Sequence, residues 1–404
     1  MGGLAPSRNH VYVEYMANVT TESFDLTKKK LHGLAKHEGG PALTLYMPLQ
    51  TPSAKSAGKQ ENMIRLKNLI KKAEVAGESY ARPDSGTEAE TVSSLLNPLR
   101  DALHGGDRFW DPQAESVAIF ITSEMLRVVP LPVTVAEQAI VDDRFHLKPL
   151  FAARPVSGRF YLLALDMHNV HLYRGNAAKL QEVPLTGDPP ELPDVLKEFS
   201  FERTLNRAPG TSTVYVGHAG GEENLSPHIV EFIEGIDEAV RRTIGESELK
   251  VILAGTENVV GHYRHRSKLS TLLDEYVHLS PRSATVPELH EKAWGIISRI
   301  QDEELRSEID AVGGALESDQ GVREVADICR DAYEGRLQIL LIAQDDEVRG
   351  SYDPEGETVT YSDDGEDLLD LAAHYAWNRG TRVYAVSRER IPGGRPAAGV
   401  VHPT

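Results

Sequence analysis

Short continuous apolar runs alternate along this chain with apolar stripes at the helical period, a pattern that predicts strands interleaved with helices. A short helix is expected over about residues 25–36, and ALTLYM, Ala42 to Met47, reads as the first strand. After a loop rich in Pro, Ser, Gly and Lys, the residues Met63, Leu66, Leu69, Ile70 and Ala73 mark one face of a helix, and another helix is expected over about residues 88–103. Two strands follow, Ser116 to Thr122 and Met125 to Val129. In the first of them Val117 to Ile121 are all apolar, so it should be covered on both faces.

The middle of the chain opens with RFYLLALDMHNVHLYRG, two strands around a turn at Asp166 to Asn169. Further on, Thr213 to Val216 is a short β-branched and aromatic strand. It leads through GHAGGEEN into a helix striped with Ile229, Ile233, Ile236 and Val240. Ser226 followed by Pro227 supplies a capping side chain and then a preset φ at the first helical position. Gly217, Gly220 and Gly221 allow the intervening loop backbone shapes closed to other residues, although by itself such a loop is a plain strand-to-helix connection. Lys250 to Ala254, KVILA, is another buried strand. GHYRHRSK then begins a helix expected to run to about Tyr276.

The last third starts with a long helical pattern from Pro287, with Leu289, Ala293, Ile296, Ile297 and Ile300 on its apolar face and a break at Gly313 and Gly314. A helix over Val322 to Tyr333, a strand Leu337 to Ala343, a polar hairpin around Tyr352 to Tyr361, a capped helix Asp364 to Trp377 and a strand Arg382 to Val386 complete the pattern. Leu368, Leu371, Ala372 and Tyr375 form the apolar face of that capped helix. The fold class is α/β, in three α/β domains over residues 1–151, 152–284 and 285–404, the last an α/β/α sandwich. Residues 1–22 have no clear period.

Net charge changes this picture only when divided along the chain. The total is −18, but residues 1–150 hold 17 basic against 18 acidic residues, residues 151–284 hold 14 against 18, and residues 285–404 hold 12 against 25. The acidity thus belongs mostly to the last third, which suits a protein partner or solubility, and local basic faces in the first two thirds remain able to meet RNA. No run approaches the ~18 apolar residues of a membrane span and the N-terminus lacks a basic-then-apolar leader, so the expectation is a cytoplasmic protein without a membrane partner. The single cysteine, Cys329, occupies a helical apolar position and is expected in the core.

Two basic clusters are candidates for RNA contact. Lys55, Lys59, Arg65, Lys67, Lys71 and Lys72 crowd one helix and its entry loop, and Arg264, His265, Arg266 and Lys268 fall within five positions. The blander reading of each is a solvated helix face. His168 and His171 have a metal-like spacing, but no carboxylate or cysteine is fixed beside them, so neither metal nor cofactor is expected.

The order of ALTLYMP, MIRLKNLIKKAE, DRFHLKPL, RFYLLALDMHNVHLYRG, VPELHEKAW and GEDLLDLAAHYAWNRGTRVYAV resembles the bacterial branch of the archaeo-eukaryotic peptide-chain release factor superfamily, family three, relatives of Pelota and the hibernation factor Balon. The resemblance implies an RNase H-like middle domain and a C-terminal domain similar to the kink-turn-binding ribosomal proteins. As partners it implies the ribosome, with ribosomal RNA or tRNA, and an elongation-factor-type GTPase. In true release factors of the superfamily a Gly-Gly-Gln loop assists water attack on peptidyl-tRNA, and the matching position here is Gly220, Gly221 and Glu222. The neutral amide has become a carboxylate with Glu223 beside it, which disfavours a phosphate-walled site. The resemblance therefore implies an A-site ligand of stalled or resting ribosomes that does not release peptide. A hydrolase of peptidyl-tRNA or RNA using His218 and Glu222 is the alternative, since a carboxylate can serve as a general base. A non-ribosomal adaptor is a third reading.

Overall fold

A computed structural model describes residues 28–37, 39–50, 57–80, 89–105, 114–156, 158–166, 170–187, 227–281 and 283–402. The expected strand at Thr213 to Val216, the glycine loop after it and the capping Ser226 lie outside the described residues. The chain forms two compact units, Met1–Gly158 together with Ile300–Thr404, and Arg159–Arg299.

In the first unit, helix α1 (Lys28–Ala35) precedes strand β1 (Ala42–Pro48), helix α2 (Ala57–Tyr80), helices α3 (Ala89–Leu95) and α4 (Asn97–Gly105), and strands β2 (Ser116–Ile121), β3 (Leu126–Leu131) and β4 (Gln138–Asp142), then helix α5 (Lys148–Val156). The helix expected over residues 88–103 is two, meeting at Leu96, whose side chain is fully buried at the junction. The sheet is antiparallel throughout, in the order β3-β2-β1-β4. Its two inner strands are covered on both faces, as the unbroken apolar run of β2 predicts. Val117, Ile119 and Ile121 pack with Leu66, Leu69, Ile70 and Ala73 of α2, whereas Ala118 and Phe120 face the opposite core with Tyr46 and Phe145.

In the second unit, β5 (Phe160–Leu165), β6 (Val170–Gly175), β7 (Leu180–Val183), β8 (Lys250–Gly255) and β9 (Val277–His278) form one sheet in the order β7-β6-β5-β8-β9. The first three run antiparallel, and β8 and β9 extend the sheet in parallel from β5, the arrangement of an RNase H-like domain. Helix α6 (Pro227–Ile244) begins at the proline that the sequence marks. Its Ile233, Ile236, Val240 and Ile244 lie on Leu163, Leu165, Val251 and Leu253 of the sheet. Helix α7 (Glu257–Arg266) corrects one expectation: the basic cluster ends a helix instead of starting one that reaches Tyr276. Glu257 in its first turn and Arg264, His265 and Arg266 in its last complement the helix dipole, and the chain leaves helical geometry at Ser267.

The remaining helix α8 (Val286–Leu316) runs straight through Gly313 and Gly314, against the break expected there. Val312 and Ala315 are buried on either side of the pair, and their packing outweighs the low helical propensity of glycine. Strand β10 (Gly321–Val322), helix α9 (Val325–Glu334), strands β11 (Leu337–Ala343), β12 (Arg349–Asp353), β13 (Thr358–Tyr361) and β14 (Glu366–Asp367), helix α10 (Leu368–Asn378), and strands β15 (Arg382–Val386) and β16 (Ala397–Val401) follow. Helix α9 stops at Gly335, whose φ of 75° lets Arg336 N donate back to Asp331 O at 2.8 Å. The cap of α10 is Asp367, not Asp364 as the pattern suggests; its carboxylate accepts from Leu369 N at 3.1 Å. The C-terminal sheet runs β10-β16-β11-β15, parallel only between β11 and β15.

The first and last thirds of the chain contribute to one core, in which Leu31, Leu34, Phe145, Leu147 and Phe151 meet Leu340, Leu371, Trp377 and Val383. Asp370 on α10 fixes the junction. Its Oδ1 accepts from the backbone N–H groups of Leu147 (2.9 Å) and Lys148 (2.6 Å), and its Oδ2 lies 3.4 Å from His146 Nδ1. Beside it, Lys148 Nζ meets Asp367 Oδ2 at 2.5 Å and donates to Asp346 O at 2.6 Å, Arg144 pairs with Glu366, and His374 Nε2 donates to Phe145 O at 2.6 Å. Burial opposes charge on Asp370, but the charge and hydrogen bond of His146 prevail and hold its carboxyl well below the usual range.

Asp370→Ala should therefore destabilise the first unit by about 3–5 kcal/mol, because it strands His146 and two backbone donors in the core. The sign with pH follows from the depressed carboxyl. The Asp370 contribution is complete above the unfolded carboxylate pKa of about 3.9 and is lost as pH falls through the lower folded value. Denaturant midpoints of the two proteins should differ fully at neutral pH and converge only in strong acid; equal midpoints at neutral pH would refute the assignment.

Candidate nucleic-acid interface

Helix α2 buries Asn62, Leu66, Leu69, Ile70 and Ala73, so the residues between them face outward. Asn62 anchors the helix start, its Oδ1 accepting from Gln50 N at 2.9 Å. Two of the predicted cations are already engaged: Arg65 Nη2 lies 2.9 Å from Glu61 Oε1, and Lys72 Nζ lies 2.5 Å from Glu137 Oε1. Lys67 and Lys71 are exposed and have no ion pair among the described residues. Ile64 and Val75 flank them, 54% and 63% exposed. Lys59 lies in α2 but its side chain is not among those described, and Lys55 lies outside the described residues.

The second cluster is positioned by a carboxylate that the sequence reading passed over. Asp237 is 2% exposed, and accepts from Arg241 Nε (2.9 Å), Tyr263 OH (3.1 Å), Ser267 Oγ (2.6 Å) and Lys268 N (3.3 Å). These bonds tie the end of α7 to α6 and turn the chain out of helix at Ser267. A signal for it exists in the sequence: Asp237 stands four residues after Ile233, on the buried face of its helix. Arg264 is committed, donating to Asp274 O and lying over the Tyr276 ring at 5.6 Å. His265 and Lys268 are exposed, Arg266 is half-buried, and Arg266 and Lys268 make no ion pair among the described residues. Positive charge is concentrated here: burial, then Arg266 and His265, push the His262 imidazole below its ordinary value. The arrangement can hold an anion and contains no nucleophile or base pair of its own.

His218, Gly220, Gly221 and Glu222 lie outside the described residues, as does His168. His171 Nδ1 lies 2.7 Å from Glu182 Oε1, and the described residues contain no group of three metal-ligating side chains. Cys329 is buried, and burial followed by the charge of Asp367 pushes its thiol up to about 12, so it serves packing and not nucleophilic chemistry. Among the described residues no helix is long and apolar enough to cross a membrane.

Residues 159–336 match the family model of Bacterial archaeo-eukaryotic release factor family 3. No curated protein matches the chain. Among solved structures, an archaeal translation termination factor, aRF1, aligns at 16% identity over 93% of this chain and 98% of its own, with a TM-score of 0.23. A model of ribosome-bound archaeal Pelota and ABCE1 aligns at 11% identity over 93% and 94%, with a TM-score of 0.39. Dom34 of S. cerevisiae, a translation termination-like factor, aligns at 12% identity over 72% and 81%, with a TM-score of 0.36. The family match over residues 159–336 takes in the whole β7-β6-β5-β8-β9 sheet.

Proposed function

We propose that this protein is a translation-factor-like ligand of the ribosomal A site, acting on stalled or resting ribosomes without releasing peptide. The observation that carries the reading is the family match over residues 159–336, taken together with the Gly220-Gly221-Glu222 sequence inside the matched segment. A family built on release-factor architecture supplies the docking body. A carboxylate in place of the neutral amide removes a donor and adds negative charge where peptidyl-tRNA would lie. Lys67 and Lys71 on α2, with Arg266 at the end of α7 and Lys268 just after it, are the cations free to meet RNA phosphates, and Arg65, Lys72 and Arg264 serve internal contacts first. The acidic last third, net −13, is turned to a protein partner, and an elongation-factor-type GTPase is the partner this reading assigns.

Purified protein should co-sediment with ribosomes at low salt and be released as salt rises, because each phosphate contact gives up condensed counterions. Lys67→Ala with Lys71→Ala, and Arg266→Ala with Lys268→Ala, should each weaken binding by about tenfold or more at fixed ionic strength, and Arg65→Ala should do little. Failure to sediment, or binding indifferent to both double variants, removes the reading.

The loop has its own test, single-turnover hydrolysis of peptidyl-tRNA on programmed ribosomes. Wild type should be inactive and Glu222→Gln should gain hydrolysis, since it restores a neutral donor. A wild-type activity that Glu222→Ala abolishes would instead establish the hydrolase built on His218 and Glu222.

A further inference from the structure

A cavity of about 430 Å³ opens in the first unit beside the end of α10, walled by α1 and the first residues of β15. Its volume is within the range of small-molecule sites, roughly 300–1,000 Å³. The chemistry of its lining departs from that of the surrounding segment. In the most acidic third of the chain, no carboxylate lines this cavity. Lys29, His32 and Arg382 do, and Trp377 and Tyr384 supply aromatic surface. Arg382 shares its guanidinium with Glu308, at 2.9 Å from Nε and 3.3 Å from Nη2. Lys29 and His32, one exposed and one half-buried on α1, make no ion pair among the described residues, so they are the groups with charge to give.

Asn378 fixes the wall between α1 and α10. Its Nδ2 donates to Ala35 O at 2.9 Å, which fixes the orientation of the amide, and its Oδ1 is then left buried without a donor. A ligand that satisfies the site brings an anionic end for Lys29 and His32 and a planar ring for Trp377 and Tyr384. We infer that this cavity is a nucleotide-binding site, taking a phosphate together with an aromatic base. The site is independent of the proposed ribosomal role, since none of its lining residues is among the cations or loop residues assigned to that role, and the same chemistry is presented by a free nucleotide or by one unstacked nucleotide of an RNA.

Calorimetric titration of the full chain with adenosine monophosphate, inorganic phosphate and a short adenylate oligonucleotide tests the inference. Adenosine monophosphate should bind at least about tenfold tighter than phosphate, and Lys29→Ala combined with His32→Ala should weaken it by about tenfold or more. Tyr384→Ala should weaken the nucleotide but not the phosphate, which a loss of folding would not do. Lys36→Ala, on the exposed face at the end of α1, should change nothing. An oligonucleotide that binds no better than the monophosphate marks a free nucleotide as the ligand, and one that binds much tighter marks RNA; both uphold the site. Absence of nucleotide binding, equal binding of phosphate, or equal weakening by Lys36→Ala overturns it.

Discussion

The buried carboxylate of Asp370 is the constraint on which the larger unit depends. It accepts hydrogen bonds from residues 222 and 223 positions away in sequence, and through them joins the segment 144–148 to the start of α10. Without that junction the antiparallel sheet of the first third and the mixed sheet of the last would have to bury separate faces. With it, Phe145, Leu147 and Phe151 continue one core into Leu371 and Trp377. A buried carboxylate is costly unless it is paired and fully hydrogen-bonded, and here His146 and two backbone N–H groups meet it at once. Tyr46 extends the clamp, donating to His146 O at 2.7 Å, while His146 N donates to Thr44 Oγ1 at 3.0 Å, so β1 is tied to the same five residues.

Asp237 does for the second unit what Asp370 does for the first. Each is a carboxylate on the buried face of a helix, and each is surrounded by donors from another segment. The consequence for function is a division of the cations. Those near buried carboxylates, such as Lys148 and Arg241, are used to hold the fold. Those on α2 and after α7 that project from the opposite faces are left to act outward. A raw count of basic residues therefore overstates the surface able to meet an anion, and most of the correction comes from pairs that cross between elements, such as Lys72 with Glu137.

The same division explains what could be read in the sequence. Strands buried on both faces, such as β2 and β11, announce themselves as unbroken apolar runs, and helix α6 announces its start through Pro227. Strand β4, QAIVD, is half-buried throughout and lacks either period, and β16, AAGVV, is made of small residues after a Pro- and Gly-rich stretch, so neither stands out. The course of α8 through two glycines and the end of α7 at Ser267 are decided by long-range contacts, with Val312 and Ala315 in one case and Asp237 in the other. Local propensity has no access to such terms. Of the candidate site, the sequence yields the positions of the cations but not which of them the fold consumes.

That leaves the meaning of one changed side chain. A unit charge held about 6 Å from a phosphate at an effective dielectric of about 20 experiences about 3 kcal/mol of repulsion, and a less polar site raises the figure. Glutamine at the same place feels none of it and offers a donor besides. With Glu223 beside Glu222, this sequence would need to find its compensation in protonation or a cation before it could approach peptidyl-tRNA as the amide does. Lys67, Lys71, Arg266 and Lys268, at other positions, meet no such penalty toward a phosphate. Phosphate contact by those cations and chemistry at Gly220-Gly221-Glu222 therefore draw on different side chains, and a change in one set can leave the other intact.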